Sequence, residues 1–278
     1  MKPLWSSGSA IQRQIESAKR LLVCVDYDGT LTSLRDHPSQ VRLPQATRAV
    51  LERLARCRNI RVALVSGRRL RDLTASARIA GVCYVGNHGL ELAGPGIRYT
   101  HPRARTTRPL LRQITQHLEA ALQPVEGAWV EHKGLTLSVH YRNIPYGEEP
   151  LVRHGFDTVV QPYVRRRQVR VTTGKEVLEV RPPVQWTKGT AVRWLLARWR
   201  ASAPGPRILP IYLGDDASDE DAFAAIGARG VTIVVGAAAH ASQAQYRLHA
   251  PDEVQAFLEW VLGLWRRKEE AHGGAAGT

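Results

Sequence analysis

Unbroken apolar runs that each end in a polar residue or a glycine recur along the chain, and they constrain its fold most strongly. The first is LLVCVD at 21–26, and similar runs occupy 60–67, 208–216 and 231–236. Amphipathic stretches with helical spacing separate these runs. A strand that is apolar at every position is buried on both faces, as in a parallel sheet covered by helices on both sides. The sequence therefore predicts an α/β fold with a doubly wound, Rossmann-like parallel sheet.

The middle of the chain has a different pattern. The runs at 129–134, 135–142 and 167–182 alternate apolar and polar residues, which indicates antiparallel strands covered on one side only. A helical stretch near 148–164 lies among them. We therefore expect an α+β cap domain at 106–180, inserted into a core domain made of 1–105 and 181–266. The polar end at 267–278 is predicted to be a disordered tail.

Composition narrows the classes of partner. The net charge is +14, but the basic residues are mostly arginines scattered along the chain, and only 164–170 is dense. Few aromatic residues are interleaved there for base stacking, so we predict no specific nucleic acid partner. No apolar run approaches the ~20 residues of a membrane span, so we expect no membrane partner. Three cysteines are an odd number and favour reduced thiols in the cytoplasm.

Several polar residues follow the predicted strands, at the edge where ligands bind in doubly wound sheets. Each one alone has an ordinary explanation, such as a capped turn or a solvated helix residue. Together, a hydroxyl, an ammonium and clustered carboxylates suit Mg²⁺ and a phosphoryl group. A carboxylate can also attack phosphorus and form an aspartyl-phosphate. The residues concerned are Asp26, Asp28, Ser66, Lys188, Asp215, Asp216 and Asp219.

These residues lie in motifs that resemble a known superfamily. DYDGTL at 26–31, VSGR at 65–68, TKG at 187–189 and GDDASDEDAF at 214–223 are similar in order and spacing to the four motifs of haloacid-dehalogenase-type (HAD-like) phosphatases. These enzymes carry a cap between the second and third motifs. More narrowly, GNHGLE at 86–91, VEHKGLTLSVHYR at 130–142 and LEVRP at 178–182 resemble the trehalose-6-phosphate phosphatase family. The similarity runs from about residue 21 to residue 262.

The resemblance implies a function and a role for each matching residue. The implied reaction is Mg²⁺-dependent hydrolysis of trehalose 6-phosphate, with a pathway link to trehalose-6-phosphate synthase. Asp26 would be the nucleophile and Asp28 the general acid and base, and Ser66 and Lys188 would hold the phosphoryl oxygens. The metal ligands would be Asp26, Asp28 through its backbone carbonyl, and Asp215, with Asp219 in support. The substrate-binding residues would be Gly29, Asn87, His88, Glu131, Lys133, Arg142 and Glu179.

Alternatives stay open at the level of the residues. The core motifs do not separate this reaction from that of a sucrose-phosphate phosphatase, a mannosyl-phosphoglycerate phosphatase or a phosphomannomutase, so the segment at 130–142 decides between them. A non-catalytic sugar-phosphate sensor or a nucleic-acid-binding relative is a rival of another class. Without the resemblance, the charged residues at 131, 133 and 142 read as the solvated face of a sheet. His88 and His140 then read as structural histidines.

Overall fold

The computed structural model describes residues 1–33, 41–174, 176–202, 205, 207–236 and 242–273, with side chains described up to residue 271. The chain forms two compact units. The core unit consists of Met1–Arg98 and Trp186–Thr278, and the inserted unit of Tyr99–Gln185. The sequence-based limits for the insert are 106 and 180. The structural limits lie further out, and on the amino-terminal side a single long helix already begins at Pro102.

Thirteen strands and eight α-helices make up the described chain. The strands are β1 (Lys2–Pro3), β2 (Arg20–Asp26), β3 (Ile60–Val65), β4 (Cys83–Gly86), β5 (Glu91–Gly94), β6 (Ile97–Thr100), β7 (Trp129–His132), β8 (Leu137–His140), β9 (Arg170–Gly174), β10 (Val177–Arg181), β11 (Ile208–Gly214), β12 (Val231–Val235) and β13 (Tyr246–Leu248). The helices are α1 (Gly8–Ser17), α2 (Gln45–Arg56), α3 (Leu70–Ala77), α4 (Pro102–Leu122), α5 (Glu149–Arg165), α6 (Lys188–Ser202), α7 (Glu220–Ile226) and α8 (Pro251–Gly273).

A nine-stranded sheet has the order β1-β13-β12-β11-β2-β3-β4-β5-β6. The strands from β1 to β4 in this order are parallel to their neighbours, and β5 runs antiparallel to β4. The central strand β2 is buried at all seven positions, between β3 and β11. Burial on both faces is the reason for its continuous apolar run. The mostly parallel α/β sheet confirms the fold class predicted from the sequence.

Helices cover both faces of this sheet. On one face Leu21, Val23 and Val25 of β2 join a hydrophobic core with α1, α2 and α8. The alternate residues of β2 point to the other face, because side chains of a strand alternate. There α6 and α7 pack against each other and contact β11. The sheet therefore presents its strand ends, and not its faces, to a ligand.

The last helix continues beyond the point where the sequence predicts a disordered tail. Helix α8 runs to Gly273, so residues 267–273 are helical, and residues 274–278 lie outside the described part of the chain. Trp265 is buried, and its Nε1 donates to Glu269 at 2.9 Å. Lys268 lies over the ring of Trp265 and donates to the carbonyl of Ala18. These contacts of polar residues extend the helix past its last apolar turn.

The inserted unit contains an antiparallel sheet of four strands in the order β7-β8-β10-β9. One face packs on α4 and α5 through a core of its own that includes Leu137, Val139, Leu178 and Val180. Glu131, Ser138, Glu179 and Thr172 are direct cross-strand neighbours in a single row. Since they alternate with the core residues, this row lies on the opposite face. Among the described helices, none has the length and apolar character of a membrane span.

Candidate active site

The carboxyl edge of the large sheet gathers four of the predicted residues. Asp26 ends β2, Ser66 directly follows β3, and Asp215 directly follows β11. Lys188 is the first residue of α6, and its Nζ lies 2.7 Å from Oδ1 of Asp26. These two residues are 162 positions apart in the chain. The structure therefore brings the predicted nucleophile and the predicted phosphoryl-binding lysine into direct contact.

Lys188 is a buried cation that several carboxylates share. Its side chain is 3% exposed, and Nζ also lies 2.9 Å from Asp219 and 3.6 Å from Asp216. Burial acts to lower its pKa, but the three neighbouring carboxylates outweigh burial and raise the pKa of Lys188 well above its usual value. The side chain is therefore an ammonium group at neutral pH.

Carboxylate oxygens of Asp26, Asp215 and Asp219 lie within 4.8 Å of one another. Burial raises the pKa of Asp26, Lys188 opposes this shift, and Asp219 and Asp215 add to it. Burial followed by repulsion from Asp219 and Asp216 also raises the pKa of Asp215, to about 7. One lysine thus leaves this cluster with too little positive charge. The residues fit a divalent cation, because hard cations take oxygen ligands and supply the missing charge.

Asp219 holds the cluster together. Its Oδ1 accepts hydrogen bonds from Lys188 and, at 2.6 Å, from the hydroxyl of the buried Tyr212. Its Oδ2 accepts from the backbone N–H groups of Asp215 and Asp216 at 3.1 and 3.2 Å. Since both oxygens already have donors, Asp219 orients Lys188 and the backbone of Asp215. Its role at a metal site stays a prediction.

Asp28 has a partner that sequence reasoning missed. The Arg68 guanidinium makes a bidentate contact to its carboxylate, at 2.6 Å from Nη2 to Oδ1 and 2.8 Å from Nε to Oδ2. Ser66 Oγ also lies 3.2 Å from Oδ2, and it accepts a hydrogen bond from the backbone N–H of Arg68. The side chain of Asp28 is 30% exposed, so it remains accessible to a ligand. In the sequence, Arg68 is the last residue of the VSGR motif, and nothing in that motif indicates that its side chain contacts Asp28.

Gly29 and Thr30 shape the loop between the two acids and the rest of the site. Gly29 has φ +85°, and a Cβ built there would lie 2.1 Å from Oδ2 of Asp215. Thr30 Oγ1 donates to Oδ1 of Asp215 at 2.9 Å. The glycine is needed both for its backbone conformation and because Asp215 lies against it. Gly29 therefore makes room for a carboxylate of the metal cluster.

The segment at 86–89 supports the loop that carries Ser66. Asn87 is fully buried, its side chain donates to Glu91 at 3.1 Å, and its backbone N–H donates to the carbonyl of Arg68. The backbone N–H of His88 donates to the carbonyl of Ser66 at 3.1 Å. These contacts show that Asn87 supports the loop, and its contact with substrate stays a prediction. His88 is partly exposed and also lies against Gly67.

In the inserted unit, Glu131, Lys133 and Glu179 form one charged network. Lys133 Nζ lies 3.2 Å from Glu179 and 3.7 Å from Glu131. His140 Nε2 lies 2.9 Å from Glu131, and the ring of His140 stacks on Trp129 with centroids 4.1 Å apart. Burial acts to raise the pKa of Glu131, but the His140 contact and Lys133 outweigh it and hold the pKa below its usual value. Glu131 is therefore an ionised hydrogen-bond acceptor, and the contact with the stacked His140 ring holds it in place.

Two arginines of the inserted unit differ in their partners: Arg181 contacts Glu179, which belongs to this network, and Arg142 contacts Glu176, which does not. Arg181 contacts Oε2 of Glu179 through both Nε and Nη2, while Ser138 and Lys133 donate to Oε1. Glu179 is thus buried and fully hydrogen-bonded, and sequence reasoning missed Arg181. Arg142 pairs with Glu176 at 2.8 Å in an exposed position, and its contact with substrate stays a prediction. Ser138 and Glu179 are buried, and Glu131 and Lys133 are only partly exposed, which differs from a solvated strand face, in which such groups would be exposed.

We expect the stability of the metal-free protein to fall as the pH rises from about 4 to about 7. Burial raises the folded-state pKa values of Asp215 to about 7 and Asp219 to about 6, from 3.8. Between these values the folded state binds more protons than the unfolded state, so this contribution is present at low pH and lost as the pH rises through the folded pKa.

Mg²⁺ should therefore raise Tm more at about pH 8 than at about pH 5.5, since it takes the place of those protons. Circular dichroism melting curves with EDTA or with Mg²⁺ measure this difference. Asp215→Asn, which removes one carboxylate of the cluster, should lose most of the gain. Equal gains at both pH values, or in both proteins, would contradict a cation at these carboxylates.

Comparison with known proteins agrees with this geometry. A family model described as trehalose-phosphatase matches residues 24–252. A curated relative named trehalose-phosphate phosphatase, from Mycobacterium bovis BCG, is 38% identical over 256 residues, which are 91% of this chain and 63% of the relative. The chain therefore spans less than two thirds of the length of that relative.

Solved structures share the fold. The C-terminal domain of trehalose-6-phosphate phosphatase from Candida albicans is 22% identical, with a TM-score of 0.77 over 92% of this chain and 97% of that one. A haloacid dehalogenase-like hydrolase from Bacteroides thetaiotaomicron is 19% identical, with a TM-score of 0.60 over 87% of this chain and 100% of that one. Such structures establish a HAD-like fold. The match to the family model over most of the sequence shows in addition that the chain belongs to the trehalose-phosphatase family.

Proposed function

We propose that the protein hydrolyses trehalose 6-phosphate to trehalose and phosphate through an aspartyl-phosphate intermediate. The single observation that carries this proposal is the 2.7 Å contact between Lys188 and Asp26 inside a buried cluster of carboxylates. A lysine so placed orients the attacking carboxylate and meets the negative charge of a phosphoryl group. Membership of the trehalose-phosphatase family and the names of the curated relatives support the choice of substrate.

The first step forms the covalent intermediate. A carboxylate oxygen of Asp26 attacks phosphorus while the bond between phosphorus and the sugar oxygen breaks. Asp28 must enter this step protonated, with its bidentate contact to Arg68 released, and it gives its proton to the leaving oxygen, which would otherwise depart as an alkoxide. Lys188 and the hydroxyl of Ser66 stabilise the charge on the phosphoryl oxygens. Arg68 holds Asp28, and the 3.2 Å contact between Ser66 and Asp28 supports the proposal that the acid and a phosphoryl-binding group act together.

In the second step Asp28 acts as a general base, after acting as a general acid in the first. Asp28, now ionised, takes a proton from a water molecule as that water attacks phosphorus. The bond to Asp26 breaks, phosphate leaves, and both aspartates return to their starting states. Asp26, Asp215 and the backbone carbonyl of Asp28 would hold Mg²⁺, which supplies positive charge beside the phosphoryl oxygens. We infer Mg²⁺ in place of Ca²⁺ because Ca²⁺ takes longer bonds and more ligands.

The inserted unit supplies the sugar-binding groups of this proposal. Charged carboxylates and ammonium groups make strong hydrogen bonds to hydroxyls, and Glu131 and Lys133 offer both kinds. Glu179 acts mainly by holding Lys133 and Ser138, because Lys133, Ser138 and Arg181 already satisfy its oxygens. We propose that Glu131 reads a sugar hydroxyl directly and that Glu179 positions the residues beside it.

Alanine at Glu131 or Lys133 should lower kcat/KM for trehalose 6-phosphate by roughly tenfold, since a lost polar contact in a desolvated site costs about 1–3 kcal/mol. Hydrolysis of p-nitrophenyl phosphate, which lacks the sugar, should change little. Glu179→Ala should also lower Tm, because it removes the carboxylate that the largely covered Lys133 and Arg181 share.

Glu149→Ala is the matched control, since it removes an exposed carboxylate of the same unit whose ion pair in the described part of the chain is with Arg153. We expect no change in this variant on either substrate. Phosphate release from trehalose 6-phosphate and from p-nitrophenyl phosphate measures whether each variant loses activity on the sugar substrate alone. An equal loss on both would show that Glu131 and Lys133 support the fold, and no loss on either would remove them from the sugar site.

A panel of sugar phosphates tests the function itself. Phosphate release with Mg²⁺ should be fastest for trehalose 6-phosphate, with glucose 6-phosphate, sucrose 6-phosphate and mannosyl-phosphoglycerate far behind. EDTA should abolish the activity, and Ca²⁺ should restore little of it. Preference for another member of the panel would reassign the substrate, and full activity in chelated buffer would exclude the metal site.

Location and partners follow from the same proposal. The cysteines are free thiols, and burial raises the pKa of Cys83 to about 12, so they suit a reducing cytoplasm. Trehalose 6-phosphate as substrate links the protein to the synthase reaction that supplies it. We propose no specific nucleic acid partner and no membrane partner.

A further inference from the structure

The amino edge of the large sheet, opposite the catalytic edge, is strongly basic. Parallel strands begin at the same edge, so the segments that lead into β2, β3, β11 and β12 lie along it. These segments contain no Asp or Glu and many arginines. They are SAKR at 17–20, CRNIR at 57–61, RWRAS at 198–202 and GARG at 227–230. These segments carry guanidinium groups at the amino edge, where Glu269 lies near Cys57 and Glu16 near Lys268.

A cavity of about 210 Å³ opens at this basic edge. Its floor consists of buried apolar residues from α6, β11 and α7, namely Leu196, Ile208, Pro210, Ala225 and Ile226. Its rim consists of four exposed arginines, namely Arg193, Arg200, Arg207 and Arg229. We call this cavity the arginine pocket. An apolar floor under a cationic rim is the lining expected for a ligand with an apolar ring and a charged end.

The rim arginines have no acidic partner among the residues that the structure describes. Arg207 donates to the carbonyl of Arg229 at 2.6 Å, and Arg229 donates to the carbonyl of Ala225 at 3.0 Å. The side chains of Arg193 and Arg200 make no hydrogen bond or ion pair within that part of the chain. Like charges around one cavity repel each other, and a bound anion would relieve this repulsion.

Neighbouring residues add to the positive field. The guanidinium groups of Arg20 and Arg61 lie 5.4 and 5.8 Å from the ring of Trp199, which belongs to the same helix as Arg200. Arg20 is the first residue of β2, and Arg61 is the second residue of β3. The arginine pocket is therefore a cavity with an apolar floor, and further arginines lie near it along the same edge of the sheet. None of the residues that line it belongs to the candidate catalytic or metal site.

We propose that the arginine pocket binds a nucleoside diphosphate or triphosphate. The pocket is smaller than the ~300–1,000 Å³ of sites that enclose a whole drug-sized ligand, so it receives the ring and leaves the charged groups at the rim. Guanidinium groups match phosphate oxygens in bidentate geometry, and several arginines can serve two or more phosphates. Inorganic phosphate would make no use of the apolar floor. Single-stranded nucleic acid is disfavoured because the ring of Trp199, on which a base could stack, is already covered by two arginines.

Isothermal titration with ATP in chelated, low-salt buffer tests the proposal, with ADP, adenosine and pyrophosphate as further probes. We expect ATP to bind more tightly than ADP, and both more tightly than adenosine or pyrophosphate. The double variant Arg193→Glu/Arg200→Glu should weaken ATP binding by roughly tenfold for each guanidinium group removed. Since these two side chains have no hydrogen-bond partners in the described chain, the variant should keep its fold, as circular dichroism would verify.

The matched control is Arg13→Glu/Arg112→Glu, which makes the same change in net charge at exposed positions elsewhere. The control should bind ATP as the unaltered protein does. The pocket variant should also release phosphate from trehalose 6-phosphate at the original rate, which separates ATP binding from the catalytic site.

Four results would overturn the proposal. They are an absence of ATP binding, an equal loss in both double variants, pyrophosphate binding as tight as that of ATP, and an unchanged affinity in the pocket variant. An equal loss in both double variants would mean that ATP binding depends on net charge alone. Pyrophosphate binding as tight as that of ATP would exclude a role for the apolar floor. Tight binding of a single-stranded oligonucleotide near physiological salt, with weak ATP binding, would replace the small ligand by nucleic acid.

Discussion

Asp26→Asn should abolish turnover of trehalose 6-phosphate, with a loss of about 10⁴–10⁶-fold, the scale expected when an enzyme loses its covalent nucleophile. An amide is a poor nucleophile towards phosphorus, and it is also a weaker ligand for a cation. The change keeps the size of the side chain. It also leaves Lys188 with two acidic neighbours, Asp219 at 2.9 Å and Asp216 at 3.6 Å. The loss should therefore be one of chemistry, with the fold preserved.

The stability of this variant is part of the expected result. Burial and the nearby carboxylates raise the pKa of Asp26, so its ionised form is unfavourable in the metal-free protein. The neutral amide removes that repulsion, and Tm in chelated buffer should stay the same or rise. Steady-state phosphate release, melting curves and trapping of a phosphoryl-enzyme would measure these effects. Near-normal activity, or a phosphoryl group still trapped on the variant, would rule out Asp26 as the nucleophile.

Asp28→Asn should lower the steady-state rate by about 10²–10⁴-fold, which is the usual contribution of a general acid or base. The loss should depend on the leaving group. Nitrophenolate leaves without a proton, so the first step with p-nitrophenyl phosphate should survive, while the second step still needs Asp28 to activate water. Rapid mixing should then show a burst of nitrophenolate, close to one equivalent per chain, followed by slow release.

Arg68 provides a companion to that experiment. Its guanidinium holds the Asp28 carboxylate through two hydrogen-bonding nitrogens, a geometry that lysine cannot reproduce. Arg68→Lys should therefore lower kcat for trehalose 6-phosphate with a smaller change in KM, and it should affect the burst with p-nitrophenyl phosphate least. A steady-state rate of Asp28→Asn equal to that of the unaltered protein would remove Asp28 from proton transfer. Equal effects of Arg68→Lys on both substrates would make Arg68 a purely structural residue.

The sequence predicts the sheet and the position of the site well, for a physical reason. Continuous apolar runs reveal strands buried on both faces, and the polar residues that end them must meet at one edge. Asp26, Ser66 and Asp215 lie where this reasoning puts them, and Lys188 joins them from the start of α6. The order of motifs alone therefore locates the candidate site.

The partners of these residues could not be predicted in the same way. Arg68 follows a strand and could point in several directions, and only the folded loop shows that its guanidinium reaches Asp28. Asn87 lies next to the site in sequence, yet its side chain turns inwards to Glu91. In the inserted unit, strand alternation puts Glu131 and Glu179 on one face but does not reveal that Arg181 saturates Glu179. Side-chain direction and hydrogen-bond partners depend on packing, which a pattern of apolar residues does not encode.

The long separation between Asp26 and Lys188 has a consequence for the folding of the chain. The central strand β2 pairs with β3, which is near in sequence, and with β11, which follows the whole inserted unit. The β2–β3 pair can form early, whereas closing β11 onto β2 costs the entropy of a long loop. The inserted unit has a continuous sequence and a hydrophobic core of its own, so it can fold first and turn that loop into a compact connection. The unit that we propose to supply the sugar-binding groups would then also help to assemble the carboxyl edge of the large sheet during folding.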